Sequence, residues 1–388
     1  MTRLLLPLLL LFSLVAFLAF SSDTPRPAPP EPEDGAPGKP TLTEELYKEL
    51  LSDRYHVNRK YRSMKGPYSQ QEFQLGEGEE AELLWITGYR AVMVDGDGET
   101  PMPQEFMCHS NLDLDPRQHN RLFGSRNPIS GRLFTLSQGQ LEIHLPEGFG
   151  LPVLSTEALE LTTQVLNLNH DEITVDVRHK VKIDYVRQKD LGVPIKPLFP
   201  LAVYGLASLE EEPLTFGRLD DARESSGEGE EHAGGEEDHG PSCLVRSNAA
   251  THEYEDPFGR RFTGHWVVEP GREVNRTLVT EILDLPFDTT VHYIAVHLHP
   301  FAESLELRDL TTGESVFKSR VRPAEKGIGI RHVDYFSSRE GVALFKGHDY
   351  ELVSVYDNTS GEEQDSMAVM YMYLLDQRFE APVLAAGS

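Results

Sequence analysis

Ile173-Thr-Val-Asp-Val-Arg-His-Lys-Val-Lys-Ile-Asp-Tyr185 alternates apolar and polar residues over most of its length. Successive side chains on a strand point to opposite faces, so a period of two marks a long strand, or a hairpin, with one wet face. The same texture extends on both sides. Upstream, Leu83 to Val94 is apolar and β-branched, Gln140 to Leu145 alternates, and Leu159 to Leu168 follows. Downstream, strand-like runs cover Val274 to Leu283, Val291 to His299, Ser304 to Leu310, Val342 to Phe345, Tyr350 to Tyr356 and Met367 to Leu375. Glu269-Pro-Gly271, Thr312-Gly313 and Asp357-Asn358 punctuate them as turns. Short strands separated by such turns point to antiparallel sandwiches. The expected fold is all-β: two antiparallel jelly-roll-like β-sandwich domains, over 76–207 and 244–380, with an N-terminal signal segment and one short helix.

The segments between and before these blocks read differently. Thr2 and Arg3 precede an apolar run from Leu4 to Phe20, followed by Ser21 and Ser22, the pattern of a secretory signal peptide over 1–21. The run also approaches bilayer-spanning length, which leaves an uncleaved anchor open. Residues 22–40 are rich in Pro, Glu, Asp and Gly and read as an exposed linker. Thr41-Leu-Thr-Glu44 has a capping-box pattern, and Leu42, Leu46, Tyr47 and Leu50 follow at helical spacing. A helix ending near Arg54, within a short helical segment over 41–75, is the expectation. Residues 208–243 are dominated by acidic residues and Gly, with His232 and His239 among them, and read as a disordered acidic loop.

Charge bounds the partners. Lys and Arg total 36 against 63 Asp and Glu, for a formal net charge of -27. Such a surface repels phosphate backbones and anionic membranes, so nucleic acid is not expected as a partner. A membrane is expected only through an uncleaved N-terminal segment. The two cysteines are Cys108 and Cys243, and in an oxidising compartment a disulfide between them is one reading. Asn275-Arg-Thr277 and Asn358-Thr-Ser360 fit glycosylation acceptors.

Chemistry concentrates in two late strands. In Tyr293-Ile-Ala-Val-His-Leu-His299, the residues Ile294, Val296 and Leu298 fall on one strand face and His297 and His299 on the other. Two imidazoles so placed are near enough to share one metal ion, and imidazole suits copper and zinc. Two surface histidines are the plain alternative. In Asp365-Ser-Met-Ala-Val-Met-Tyr-Met-Tyr373, Met367, Val369, Tyr371 and Tyr373 share one face, opposite Ala368, Met370 and Met372. A thioether favours Cu(I), while methionine in a strand also serves as core filler. His265 precedes Trp266 with no spaced partner, which reads as a structural histidine. His292, His332 and His348 lie in no motif and read as solvated.

The stretch from Pro270-Gly271 through His297-Leu-His299 to Asp365-Ser-Met367 with Tyr371 resembles the C-terminal domain of the copper type II, ascorbate-dependent monooxygenases. That family includes the peptidylglycine α-hydroxylating and dopamine β-monooxygenases. The resemblance covers roughly 264–375. It implies that His297, His299 and Met367 hold the copper at which oxygen is activated, and that Tyr371 matches a site tyrosine.

The N-terminal block is similar to the family's first domain in part. Met107-Cys108-His109 stands where a paired His-His would hold an electron-supplying copper, with Cys replacing the first His. Leu166 stands where a third His is expected, and His170 lies outside the motif. Cys108 and His109 are thus candidate ligands, with a disulfide or simple burial the alternatives for Cys108. Ala295 occupies the position of a substrate-binding Arg, so a peptidylglycine substrate is not implied.

The resemblance implies an exported enzyme that hydroxylates a C–H bond of a small-molecule or peptide substrate, using copper, O2 and a reductant such as ascorbate. The altered first site leaves a non-catalytic copper-binding carrier, sensor or extracellular scaffold as the alternative.

Overall fold

The computed structural model describes residues 45–125, 128–210, 214–218, 224–225 and 253–384. The expected signal segment and Pro-rich linker, His232, His239 and Cys243 lie outside the described residues.

The stretch Ile173–Tyr185 resolves into a single strand, Val175–Arg187, not a hairpin. Val177, His179, Val181 and Ile183 are buried, while Arg178, Lys180 and Lys182 alternate with them as half-buried residues. The strand lies near one edge of the largest sheet, which reads in spatial order Leu46–Leu51, Val175–Arg187, Leu83–Asp95, Phe149–Leu154, Lys196–Tyr204, Ala368–Leu375, Thr289–Leu298 and Phe336–Leu344. This order carries hydrogen bonding without interruption from the first block into the second. Lys196–Tyr204 is the joint. It pairs in parallel with Phe149 and Gly150 on one side and antiparallel with Ala368–Leu375, from Leu198↔Leu375 to Tyr204↔Val369, on the other.

Two further sheets cover opposite parts of this long sheet. A four-stranded sheet, Tyr68–Phe73, Leu159–Val165, Met107–Leu114 and Arg132–Leu136 in order, lies against one face. The Tyr89 and Ser110 hydroxyls meet across the gap at 2.7 Å, and Phe134 stacks on both Tyr89 and Tyr373. On the opposite face, Ile294, Val296, Leu298, Met370 and Met372 enter the same core as Leu305, Leu307 and Leu352. These three leucines belong to a six-stranded sheet that includes Gly271–Leu278, Ala302–Asp309 and Tyr350–Asn358. The architecture is all-β and jelly-roll-like, with two short helices, Pro116–Phe123 and Thr280–Leu283, among the described residues. Neither helix is long and apolar enough to cross a membrane.

Within the helix expected to end near Arg54, the described residues form instead the strand Leu46–Leu51, paired antiparallel from Leu46↔Tyr185 to Leu51↔Lys180; residues 41–44 lie outside the described residues. Residues four apart share a face of a strand as well as of a helix, so Leu46 and Leu50 satisfy both patterns. Edge pairing decides between them. Leu46, Lys48 and Leu50 turn half inward, Glu49 pairs with Lys180 at 3.5 Å, and the Lys182 ammonium sits over Tyr47 at 4.8 Å.

Burial removes two other expectations. Asn275 and Asn358 are both buried, and the Asn358 amide nitrogen donates to the Val268 and Glu362 carbonyls. Neither amide is open to a glycan in the folded chain. His292, expected in solvent, is buried with both ring nitrogens engaged, by Thr290 Oγ1 at 2.8 Å and the Ser338 carbonyl at 3.0 Å.

Burial also makes the fold sensitive to acid. Desolvation lowers the His179 pKa to about 3, opposed by the Gln164 backbone, and it lowers His292 as well. An unfolded histidine titrates near 6.5, so below that value the unfolded chain binds more protons than the folded one. Stability is therefore full above about pH 6.5 and falls with pH, by up to about 1.4 kcal/mol per unit for His179. Melting temperatures of the metal-free chain are expected to drop between pH 7 and pH 4, and His179→Leu to flatten the drop. An unchanged slope in that variant would show that the acid sensitivity lies elsewhere.

Candidate metal centre

His297 sits near the end of Thr289–Leu298 and His299 just past it. The neighbouring strand Ala368–Leu375 runs antiparallel, with His297↔Val369 and Leu298↔Ala368 as the last pairs. Directly opposed residues share a face. One step further along the same register, Met367 falls opposite His299, on the face that carries His297. Tyr356 fixes this corner: its buried hydroxyl donates to the Met367 carbonyl at 2.6 Å, and the His299 backbone lies at the same phenol.

The two imidazoles stand in different states. His299 Nδ1 is 3.2 Å from the Asp365 carbonyl, which can only accept, so Nδ1 carries the proton. His299 Nε2 is then the lone-pair nitrogen, and it accepts from the Ser63 hydroxyl at 3.2 Å. Burial, followed by the charges of His297 and His265, holds this ring well below the usual imidazole range. His297 has no such anchorage: it is buried, and neither ring nitrogen has a hydrogen-bond partner. Burial lowers its pKa to about 4, with Arg132 adding to the effect. A buried polar atom left unpaired costs about 1–3 kcal/mol, so such a group is a sign of an unfilled role.

Both rings open onto a cleft of about 360 Å³ whose walls also include Ser63, Cys108, Leu166 and Asp365. The ring centroids of His297 and His299 are 5.4 Å apart and nearly perpendicular. An ion about 2.0–2.1 Å from an imidazole nitrogen lies about 3.2 Å from that ring's centroid, so two rings sharing a tetrahedral ion stand about 5 Å apart. The spacing and the two bare nitrogens of His297 fit an ion that imidazole holds, such as copper; Met367 is fully buried and, unlike the two histidines, off the cleft wall. Among the described residues, no three His, Cys, Asp or Glu side chains already close around one point. A site formed here draws on a thioether or on a small inward movement.

The other expected residues are placed as follows. Cys108 is a buried, free thiol on the cleft wall, and its expected partner Cys243 lies outside the described residues. The ladder shifts between Met107↔Val165 and His109↔Gln164, leaving Cys108 as the extra, bulged residue; bulges of this kind re-aim side chains. His109 is fully buried and off the cleft wall, close enough that the charges of His297 and His179 act on it. Leu166 lines the cleft where a third imidazole was sought, and His170 turns away to Glu105 at 3.2 Å. Tyr371 is buried opposite Ala295 and Ala202, off the cleft wall.

Two further histidines lie nearby: His265, which the sequence reads as structural, and His179, which it does not single out. His265 brings its ring to 5.6 Å from that of His299, and His179 lies on the N-terminal side near His109. Each comes from a segment distant in sequence, with no spacing motif to announce it.

The chain matches no known protein-family profile and no curated protein. Among solved structures, the STIV MCP aligns with a TM-score of 0.30 at 9% identity, over 86% of this chain and 97% of its own. A peptide-N(4)-(N-acetyl-β-D-glucosaminyl) asparagine amidase aligns at 0.32 and 8% identity, over 87% and 100%. The major capsid protein P2 from Bacteriophage PM2 aligns at 0.27 and 12% identity, over 85% and 100%. Likeness this distant carries no argument about the site.

Proposed function

We propose that the chain is an exported, copper-dependent monooxygenase-like protein that hydroxylates a C–H bond of a small-molecule or peptide substrate with O2 and a reductant such as ascorbate. The observation that carries the reading is His297, a buried imidazole with two unpartnered nitrogens beside a cleft that His299 also lines. His297, His299 and Met367 are the residues that would hold copper. Bound there, copper supplies one-electron chemistry toward dioxygen, which closed-shell zinc does not.

The chain's own residues set the conditions. The Asp365 carbonyl fixes the His299 tautomer, so that Nε2 presents its lone pair. Tyr356 holds the backbone of Met367 in place. The cleft, about 360 Å³ and partly walled by Leu166 and Ile330, falls within the range of small-molecule sites. Inserting one oxygen atom of O2 into a C–H bond and releasing the other as water consumes two electrons and two protons; ascorbate is the proposed electron source.

A second reading, a copper carrier, sensor or scaffold without turnover, is favoured by Leu166, which stands where a third ligand beside Cys108 and His109 would complete an electron-supplying site. Oxygen consumption by the copper-loaded chain with ascorbate separates the two. The enzyme reading expects uptake that Met367→Ala abolishes. Copper retained without uptake leaves the carrier.

A further inference from the structure

We propose that Cys108 is a ligand in the same centre as His297 and His299, so that the chain carries one site with two imidazoles and a thiolate in place of two separate copper sites. The inference rests on the copper binding proposed above and, by closing the site with a thiolate, favours its second reading, a copper centre without oxygen turnover.

The argument starts from Ser63. Its hydroxyl lies 3.2 Å from His299 Nε2 and 3.7 Å from the Cys108 sulfur. Because Nε2 is the acceptor, the Ser63 proton points to His299 and the Ser63 oxygen is left to accept from the thiol. The chain of donors therefore runs from the Cys108 S–H to Ser63, from Ser63 to His299 Nε2, and from His299 Nδ1 to the Asp365 carbonyl. The basic nitrogen and the sulfur thus converge on a single point, at present filled by a hydroxyl. A metal ion there would displace the Ser63 hydroxyl and would need contractions of about 1.1 Å toward nitrogen and about 1.4 Å toward sulfur to reach bonding distances of about 2.0–2.1 and 2.3 Å. Such movements are on the scale of side-chain adjustment.

Burial raises the Cys108 pKa, opposed in part by the Met64 backbone N–H, so the site holds a neutral thiol whose proton an incoming metal ion displaces. Met64 adopts φ 64, in the left-handed region that non-glycine residues seldom occupy. Held strain of this kind gathers at functional sites. The second, independent observation is His297: its bare ring nitrogens lie on the wall of the same cleft as Cys108. Two imidazoles, a thiolate and a weak thioether form the donor set of electron-transfer copper centres. Binding releases the thiol proton to solvent, with no change in the oxidation state of the sulfur.

Cobalt(II) titration of the full chain tests this without thiol oxidation. The expected result is one cobalt per chain with an intense near-ultraviolet thiolate-to-metal band. Cys108→Ser removes the band and weakens binding by at least about tenfold, as loss of a thiolate donor implies. A band that survives His297→Ala would put Cys108 in a separate site and overturn the proposal. Cobalt bound with no thiolate band also overturns it, while leaving the His297, His299 and Met367 reading intact. No cobalt or copper bound at all overturns both. The wild-type spectrum is decisive even if Cys108→Ser folds poorly.

Discussion

Replacing His297 by Leu is expected to stabilise the metal-free chain by about 1–3 kcal/mol and to abolish copper binding. A neutral imidazole brings one donor and one acceptor, and both are left unmade in the buried His297 ring. Removing unsatisfied polar atoms in favour of an apolar group of similar size recovers their desolvation penalty, about 1–3 kcal/mol. The wall it would join already contains Leu166 and Ile330. Such a cost is expected at a ligand, since active sites are where local consistency is given up; His179 shares the unpaired state but lies off the cleft wall. Thermal melts and copper titrations of the two chains check this together. A Leu variant that melts lower, or that binds copper as tightly as wild type, would make His297 a packing residue.

Tyr373→Ala is expected to be the most damaging single truncation in the core, at about 3–5 kcal/mol. Tyr373 stacks on Phe134 at 5.5 Å, meets Tyr293 edge-on at 5.8 Å and donates to the Leu133 carbonyl at 2.8 Å. It lies where the four-stranded sheet meets the C-terminal part of the long sheet, so truncation opens a cavity and strands a buried carbonyl at once. Tyr373→Phe keeps the rings and loses only the hydrogen bond, for about 0.5–1.5 kcal/mol. Because Lys196–Tyr204 joins the two blocks through shared hydrogen bonding, denaturant melts of Tyr373→Ala are expected to shift as one transition. Two separate transitions, with only one of them moved, would show that the halves fold independently.

The two faces of the site strands are readable from a period of two: Tyr293 and Ala295 share a face with His297 in the sequence pattern, as Tyr371 and Tyr373 do with Val369, and the ladder pairs His297↔Val369, Ala295↔Tyr371 and Tyr293↔Tyr373 accordingly. Pairing partners were not readable. Lys196–Tyr204 is apolar enough to sit in either block, and only the shared ladder shows that it bridges them. Leu46 and Leu50 fit two periods equally well, and the edge of Val175–Arg187 chose the strand.

The site was half legible for the same reason. Ligands on one strand, or on two that pair, leave a spacing in the sequence. Ser63 reaches Cys108 and His299 from a turn held by the positive φ of Met64, and a turn of that kind has no period to read. The bulge at Cys108 likewise appears only once Met107 and His109 are paired.

Copper content, measured on the full chain after Cu(I) loading and desalting, tests the central claim most directly. Wild type, His297→Ala, His299→Ala and Met367→Ala would be compared, with folding verified by thermal melt. The account predicts one copper per wild-type chain, loss in both histidine variants, and weakened retention in Met367→Ala. Copper bound equally by all four folded chains, or by none of them, would contradict it.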